Sequence, residues 1–310
     1  MTKISKESKI YIAGHRGMVG SACWRLLKKR GYHNLIGKTS KELDLRDQKD
    51  VNNYLEQEQP EVIIDAAARV GGILANNTFP YEFLMDNMLI QNNLIKTAHE
   101  LNIKKFIFLG SSCIYPKMAP QPLKEEYLLT GPLEETNQWY AIAKISGVKL
   151  IEALRNQYNR DYISLMPTNL YGPGDNYDLE TSHVLPAMIR KFHEAKLDNH
   201  SDVKLWGNGK PKREFLHVDD LAYAVLYSME NSMPDSIYNV GNGEEISIKK
   251  LALLIQQIIG HQGEIIWDTN KPNGTPRKWM DSTQLAKLGY VVKINLIEGI
   301  KSTYRCYLNG

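Results

Sequence analysis

In the first half of the chain, short apolar runs alternate with longer stretches whose apolar residues recur at helical spacing. The short runs predict strands at residues 9–13, 34–37, 62–66, 105–109 and 161–166. The stretches between them predict helices at residues 19–30, 47–57, 81–101 and 140–158. Strands that are apolar throughout and separated by helices are typical of a parallel sheet covered on both faces. The pattern therefore predicts an α/β fold with a doubly wound parallel sheet.

The pattern changes after residue 167. Residues 169–176 (NLYGPGDN) are rich in turn formers, so we expect the chain to leave the sheet there. From this point to residue 310, short strands and helices mix with polar loops. We therefore predict a nucleotide-binding domain at residues 1–168 and a smaller C-terminal α/β substrate lobe at residues 169–310. Residues 215–240 are expected to return to the first domain.

Composition and charge exclude several classes of protein. The chain has 310 residues, of which 43% are apolar, which is enough for a full core. A net charge of +3 spread along the chain predicts no nucleic-acid partner, but leaves cations for a phosphorylated ligand. Cys23, Cys113 and Cys306 show no metal or disulfide spacing, and no apolar run is long enough for a membrane span. These features predict a cytoplasmic protein without a metal or a membrane partner.

A glycine motif follows the first predicted strand and opens the first predicted helix. It consists of Gly14, His15, Arg16, Gly17, Met18, Val19 and Gly20. In dinucleotide sites the first glycine permits a tight turn, the second lets the backbone approach the pyrophosphate, and the third lets helix and strand pack closely. Turns are rich in glycine, so the triplet alone is weak evidence. Its place between a strand and a helix favours a Rossmann-type dinucleotide site over a structural turn.

The residues after the second predicted strand bear on the type of cofactor. NAD sites place an acidic residue there to hold the ribose 2′-hydroxyl, but residues 37–41 read GKTSK, with no carboxylate before Glu42. Arg16 and Lys38 suit a 2′-phosphate, which favours NADP(H). Lys38 and Lys41 are equally compatible with ordinary solvated surface lysines, so Arg16 is the stronger indication. Further contacts with this end of the cofactor are expected from Ser40, Asp44 and Leu45.

The candidate catalytic residues are Ser111, just after the fourth predicted strand, and Tyr140 and Lys144, on the fourth predicted helix. Tyr140 and Lys144 are four residues apart, so they share one helix face. A cation beside a phenol lowers the phenol's pKa, which we expect to make Tyr140 a proton donor near neutral pH. Ser111 follows the fourth strand at the sheet edge where such folds bind ligands. A tyrosine and a lysine at this spacing are often a surface pair, but the glycine motif and Ser111 favour a catalytic role.

These motifs resemble the extended short-chain dehydrogenase/reductase superfamily and, within it, the family of GDP-L-fucose synthases. That family catalyses 3,5-epimerisation and 4-reduction of GDP-4-keto-6-deoxy-mannose. The likeness runs nearly from end to end, and its most specific stretches are IAGHRGMVGSA, VGGILANN, LGSSCIYPK, NQWYAIAKI, MPTNLYGPGDN, SHVLPA, REFLHVDDLA and PNGTPRK. The resemblance implies an NADPH-dependent enzyme, a GDP-linked keto-deoxy sugar as substrate, and a homodimer formed through the helices at residues 81–101 and 140–158.

The resemblance also implies roles for individual residues. Reduction is assigned to Ser111, Tyr140 and Lys144, and epimerisation to Cys113 and His183. The C–H bonds at C3 and C5 of a 4-keto sugar are acidic, so inversion there needs a base and an acid. From the residues alone, Cys113 would more often be a small buried hydrophobe and His183 a loop or helix-cap residue.

Further cofactor contacts are implied by the same resemblance. They are Leu109, Gly110, Ser111, Ser112, Tyr140, Lys144, Pro167, Thr168, Asn169, Leu170 and His183. The implied substrate contacts are Lys191, Trp206, Arg213, Asn273 and Lys278. Cations there suit a diphosphate and an indole suits a base or sugar, although Trp206 is also compatible with ordinary packing. The chain departs from the family pattern at Lys38, Ser40 and Lys191, where arginine is usual, and at Asn273, where aspartate is usual.

Two rival functions stay open. The first is another epimerase–reductase or a simple 4-reductase for a different GDP-keto-sugar, and the presence of both Cys113 and His183 argues against a pure reductase. The second is a non-catalytic NADP-binding sensor. Such proteins tend to lose the tyrosine or the lysine, whereas Ser111, Tyr140 and Lys144 are all present here.

Overall fold

A six-stranded parallel sheet forms the centre of the first half of the molecule. The computed structural model describes residues 4–198, 202–271 and 273–309. The strands of this sheet are β1 (Ile10–Ala13), β2 (Leu35–Ile36), β3 (Val62–Asp65), β4 (Lys105–Leu109), β5 (Tyr162–Pro167) and β9 (Ile237–Val240). Their order is β2-β1-β3-β4-β5-β9, and every pairing is parallel. The order reverses between β1 and β3, and open α/β sheets bind ligands beyond the strand ends at such a switch point.

Helices cover both faces of this sheet. They are α1 (Met18–Lys29), α2 (Gln48–Glu58), α4 (Pro80–Glu100), α5 (Gln138–Tyr158) and α7 (Val218–Glu230), and the short helix α3 (Ile73–Thr78) contacts α4. Side chains alternate along each strand, so Ile10 and Ile12 join one core and Tyr11 and Ala13 the other. The first core contains residues of α1 and α7, and the second contains residues of α2, α4 and α5. Burial on both faces explains why these strands are apolar throughout.

The C-terminal half carries a third core and two small sheets. Its strands are β6 (Asn169–Tyr171), β7 (Asp202–Trp206), β8 (Lys212–His217), β10 (Glu245–Ser247), β11 (Glu264–Asp268) and β12 (Arg277–Lys278). Its helices are α6 (Val184–Leu197), α8 (Ile248–Ile259), α9 (Thr283–Lys287) and α10 (Leu296–Asn309). Strand β8 pairs with β6, β10 and β12, and β7 pairs with β11. The third core fills the space among α6, α8, α10 and these strands.

The elements expected from the hydrophobic pattern of the first half are confirmed, and most of their ends lie within two residues of the expected positions. The second strand is shorter than expected, Leu35–Ile36 rather than 34–37. The segment after Pro167 leaves the main sheet as β6, which pairs with β8. Of the predicted return of residues 215–240, α7 and β9 do join the first sheet, whereas Phe215 lies in β8, which belongs to the second sheet. The division into two domains at residue 168 stays a prediction.

Candidate active site

The glycine loop lies between β1 and α1 at the switch point of the sheet. Gly14 has a φ of +75°, and a Cβ there would lie 2.7 Å from the carbonyl oxygen of Ala66. A Cβ on Gly20 would lie 2.1 Å from the carbonyl oxygen of Gly14, so the first and third glycines are required by close backbone packing. Gly17 is the N-cap of α1, and a Cβ there would meet only the Gly14 oxygen at 3.4 Å. The open approach to Gly17 and the helix N-terminus fit the pyrophosphate of a dinucleotide.

The side chains expected at the 2′-phosphate end surround the end of β2. Arg16, Lys38 and Ser40 are exposed, and Lys38 lies 3.9 Å from the carboxylate of Glu42. Glu42 also accepts hydrogen bonds from the backbone N–H and the hydroxyl of Thr39 at 2.8 and 2.6 Å. The carboxylate therefore caps the turn at Thr39, and the cations beside it face solvent.

Three other residues of the predicted cofactor site have structural partners. The ring of His15 packs against Gly37, where a Cβ would lie 2.6 Å from the ring, so the chain after β2 needs glycine there. Asp44 is paired with Arg46 at 2.8 Å. The carbonyl oxygen of Leu45 accepts a hydrogen bond from the side chain of Asn93 at 2.9 Å. These contacts hold the adenine end of the site in place; contact with the cofactor itself stays a prediction.

The candidate reaction centre joins the end of β4 to α5. Leu109 ends β4, Gly110 follows it, and residues 112–114 form a short 3₁₀ turn capped by Ser111, whose hydroxyl accepts from the N–H of Cys113 at 3.3 Å. The ammonium of Lys144 donates to the carbonyl oxygen of Leu109 at 2.9 Å. This bond fixes α5 against the strand end that carries Ser111, and Tyr140 lies one turn earlier on the same helix.

The expectation that Lys144 lowers the pKa of Tyr140 is wrong for this structure. The Lys144 nitrogen lies 5.9 Å from the centre of the Tyr140 ring and is bonded to Leu109 instead. Burial, with smaller contributions from Cys113 and Asp65, raises the pKa of Tyr140 above its ordinary value. Tyr140 is therefore a neutral phenol at physiological pH, which is the form that donates a proton.

Cys113 lines a cleft next to this centre, and His183 lies within electrostatic range of Lys278, which lines the same cleft. Cys113 is 6% exposed. Burial raises the pKa of its thiol, while the charge of Lys278 opposes that rise. His183 is the N-cap residue of α6, and part of its surface is exposed to solvent. Burial among the surrounding protein atoms and the charge of Lys278 lower its pKa, so the imidazole is neutral at physiological pH. The structure thus brings both residues within the electrostatic range of one lysine.

The segment from Pro167 to Leu170 links the two halves of the molecule. Pro167 ends β5, and the hydroxyl of Thr168 and the side-chain amide of Asn169 both donate to the carbonyl oxygen of Glu214, at 3.2 and 2.8 Å. Leu170 pairs with Leu216 between β6 and β8. The expected cofactor contacts of this segment are therefore placed at the carboxyl end of β5, beside the reaction centre.

The expected substrate residues divide into two groups. Arg213 and Lys278 are register partners on β8 and β12. Lys278 lines the cleft that contains Cys113 and Glu134, and Arg213 lies within electrostatic range of Lys278 and Glu134. Burial lowers the pKa of Arg213 to about 10, which leaves the guanidinium charged at neutral pH. Lys278 thus lies closer to the reaction centre than the sequence indicated.

The other three substrate residues lie further out on the C-terminal half. The Lys191 ammonium donates to the carbonyl oxygen of Lys204 at 3.0 Å, and Trp206 is 45% exposed at the end of β7. The side-chain oxygen of Asn273 accepts from the backbone N–H of Asn208 at 2.9 Å. Asn273 therefore fixes the turn after Trp206, a structural contact that the sequence did not reveal.

Sequence reasoning missed one charged residue at the centre, Asp65. It ends the apolar strand β3 and is fully buried. Its carboxylate interacts electrostatically with Lys144 and Tyr140. A charged residue at the carboxyl end of an otherwise apolar strand was the available signal.

Comparison with known proteins establishes the class. Residues 10–241 match the model of the NAD dependent epimerase/dehydratase family, and the chain belongs to that family. It is 54% identical over 307 residues to the putative GDP-L-fucose synthase 2 of Arabidopsis thaliana, covering 99% of this chain and 94% of the relative. It is 49% identical over 313 residues to the GDP-L-fucose synthase of Escherichia coli (strain K12), covering 98% of each.

A solved structure shares the whole fold. The GDP-mannoheptose C4 reductase MlghC from Campylobacter jejuni, with NADP bound, has a TM-score of 0.90 and 39% identity over 98% of this chain and 99% of that chain. The comparisons confirm the predicted Rossmann-type fold and the resemblance to GDP-L-fucose synthases. Among the helices in the described part of the chain, none is long and apolar enough to cross a membrane.

Proposed function

We propose that this protein catalyses the NADPH-dependent 3,5-epimerisation and 4-reduction of GDP-4-keto-6-deoxy-D-mannose to GDP-L-fucose. One observation carries the proposal: Cys113 and His183 both lie within electrostatic range of one cation, Lys278, and Cys113 in turn interacts with Ser111, Tyr140 and Lys144. A pure reductase needs only the latter three residues. Identity of about half over almost the full length with GDP-L-fucose synthases supports the choice of substrate.

The reduction assigns one task each to Ser111 and Tyr140. Bound NADPH supplies a hydride to C4. The hydroxyl of Ser111 donates a hydrogen bond to the C4 carbonyl oxygen, and the Tyr140 phenol gives that oxygen its proton. Burial keeps Tyr140 protonated, so the phenol has a proton to give to the oxygen that becomes the new hydroxyl group.

The epimerisation uses Cys113 and His183 as an acid–base pair. Removing a proton from C3 or C5 forms an enolate, which the hydrogen bond from Ser111 to the C4 oxygen stabilises. Cys113 acts as base once its thiol has lost a proton, a step that the positive charges of Lys278 and Lys144 favour against the effect of burial. His183, neutral in the resting protein, takes up a proton as Cys113 gives one up, and the imidazolium so formed protonates the enolate carbon. Cys113 then holds the proton taken from the sugar, so the thiol and the neutral imidazole are both restored.

The charges around the cleft support the choice of ligands. Arg16 and Lys38 are exposed cations, which suits a 2′-phosphate and favours NADPH over NADH. Arg213 and Lys278 are placed to bind the diphosphate of GDP, and Lys191 and Trp206 to bind its more distant parts. Asn273 is proposed to act through the turn that it holds.

We extend the proposal to assembly and location. The helices α4 and α5 leave apolar side chains exposed on one side of the molecule, at Tyr81, Met85, Leu89, Trp139 and Ile142. Such a face fits a homodimer in which these two helices pack against their copies. The three cysteines are free thiols, which fits a reducing cytoplasm.

The alternative is 4-reduction of another GDP-keto-sugar, which the similarity to the C4 reductase supports. Product analysis by NMR, after incubation with NADPH and GDP-4-keto-6-deoxy-D-mannose, separates the two. We expect GDP-L-fucose. A product inverted at neither C3 nor C5 would make the protein a simple 4-keto-sugar reductase.

A second measurement assigns the epimerisation to its residues. In D₂O without NADPH, the wild type should incorporate deuterium at C3 and C5 of the keto sugar. Cys113→Ser and His183→Asn should suppress this exchange, and Tyr140→Phe, the matched control, should keep most of it. Unchanged exchange in both Cys113→Ser and His183→Asn would reduce these residues to structural roles.

A further inference from the structure

Asp65 is a fully buried carboxylate at the carboxyl end of β3. One of its oxygens accepts from the N–H of Ala67 at 3.2 Å. Its other oxygen, Oδ2, is buried and has no hydrogen-bond partner among the described residues. A buried carboxylate with an unpaired oxygen is costly, so a charge or a polar group nearby must compensate for it.

The register of the sheet shows what lies beside this carboxylate. Asp65 is two residues beyond Ile63, so both side chains point to the face that α5 covers. Phe108 on β4 is the register partner of Asp65. The Lys144 ammonium lies 4.6 Å from the centre of the Phe108 ring. Neighbouring strands are about 4.8 Å apart, so Asp65 and Lys144 both lie next to Phe108 on this face, within electrostatic range of each other.

The same face explains how Lys144 is kept charged. Lys144 is 2% exposed, and its bond to Leu109 uses one of three N–H donors. Burial lowers the pKa of Lys144, and Asp65 is the largest influence that opposes this. Burial also raises the pKa of Asp65, to about 6, so the carboxylate is still largely ionised at neutral pH.

The other titratable groups that face Asp65 do not supply this charge. Tyr140 on α5 and Tyr11 on β1 are phenols whose pKa values burial raises, so both are neutral. Cys113, on the turn after β4, interacts with Lys144 but is a thiol in the resting protein because burial raises its pKa. Asp65 is thus the resident anion of this cluster in the described structure.

We propose that Asp65 is a positioning residue of the reaction centre, which acts through Lys144 by keeping the amine protonated and held at the end of β4 beside Tyr140. The inference rests on the proposed function, because it gives Lys144 a role at a centre where that function makes the Tyr140 phenol a proton donor. Without the carboxylate, the buried amine would lose its proton at a lower pH than it does in the wild type. The centre would then lose its cation.

The direct test is a titration of Lys144 without substrate or cofactor. Protein carrying ¹³C at lysine Cε is followed by NMR against pH, and Lys144→Met identifies the signal of Lys144. Asp65→Asn should lower the midpoint for Lys144 by about one pH unit or more. Tyr11→Phe, the matched control, removes another buried and unpartnered polar atom from the same face and should leave the midpoint unchanged. An unchanged midpoint in Asp65→Asn would overturn the proposal; if that variant does not fold, Asp65→Leu replaces it.

A kinetic test shows whether the effect reaches the chemistry. In the wild type, kcat for NADPH oxidation should fall at high pH as Lys144 loses its proton, and Asp65→Asn should move this fall to lower pH. In a Lys144→Met background, Asp65→Asn should change kcat no further, because its effect runs through Lys144. Equal effects in both backgrounds would overturn the proposal. A wild type without turnover would refute the proposed function instead, and the NMR titration would still decide the role of Asp65.

Discussion

The two glycines at the start of α1 offer a test of the dinucleotide site that needs no substrate. In Gly20→Ala the new methyl group would lie 2.1 Å from the Gly14 oxygen and 2.8 Å from the Cα of His15. Both are backbone atoms, so the first turn of α1 must move away from β1. Overpacking of this kind costs about 1–3 kcal/mol, and we expect the upper end because no flexible side chain can yield.

That cost converts into a measurable melting temperature. Unfolding entropy is about 2.1 cal/mol/K per residue. For 310 residues this gives about 0.65 kcal/mol/K, so 3 kcal/mol lowers Tm by about 5 °C. Gly17→Ala is the matched control because its φ is −71° and its methyl group meets only one atom, at 3.4 Å. Its loss as an N-cap costs about 1 kcal/mol at most, so Tm should fall by less than about 2 °C.

The effects of the two variants on NADPH affinity should rank in the opposite order to their effects on Tm. The methyl group of Gly17→Ala occupies the path of the pyrophosphate, so NADPH should bind at least about tenfold more weakly although the protein is folded. Calorimetric unfolding and calorimetric titration with NADPH at one salt concentration measure both quantities. Wild-type affinity in Gly17→Ala would refute the placing of the pyrophosphate on this loop. An unchanged Tm in Gly20→Ala would refute the packing argument.

Two further variants test the chemistry and the cofactor. Tyr140→Phe should lower kcat for NADPH oxidation by about 10²-fold or more with little change in NADPH affinity, because general acids contribute about 10²–10⁴-fold; a variant that keeps more than about a tenth of wild-type kcat would exclude this role. Arg16→Ala should weaken NADPH binding much more than NADH binding, because only NADPH carries a 2′-phosphate, and Lys41→Ala should change neither. Equal losses for the two cofactors would show that Arg16 serves the pyrophosphate or the fold.

The amino-acid sequence alone determined the strands and helices of the first half and most residues of the candidate reaction centre. Apolar runs and helical periodicity placed the strands and helices of the first half because both are local properties of the chain. The glycine spacing was equally readable, because the motif lies within one strand–turn–helix unit and Gly20 packs against the backbone of Gly14 inside it. Tyr140 and Lys144 were likewise visible as neighbours on one helix.

The tertiary structure decided which charges meet. Lys144 donates to Leu109, 35 residues earlier in the chain, and the register of β3 and β4 puts Asp65 beside it. Lys278 reaches the cleft of Cys113 only because β12 pairs with β8. The pKa of Tyr140 is raised rather than lowered, contrary to the expectation, because burial dominates and the Lys144 ammonium is bonded to Leu109 instead. Burial and charge proximity depend on segments far apart in sequence, so no local pattern could have given them.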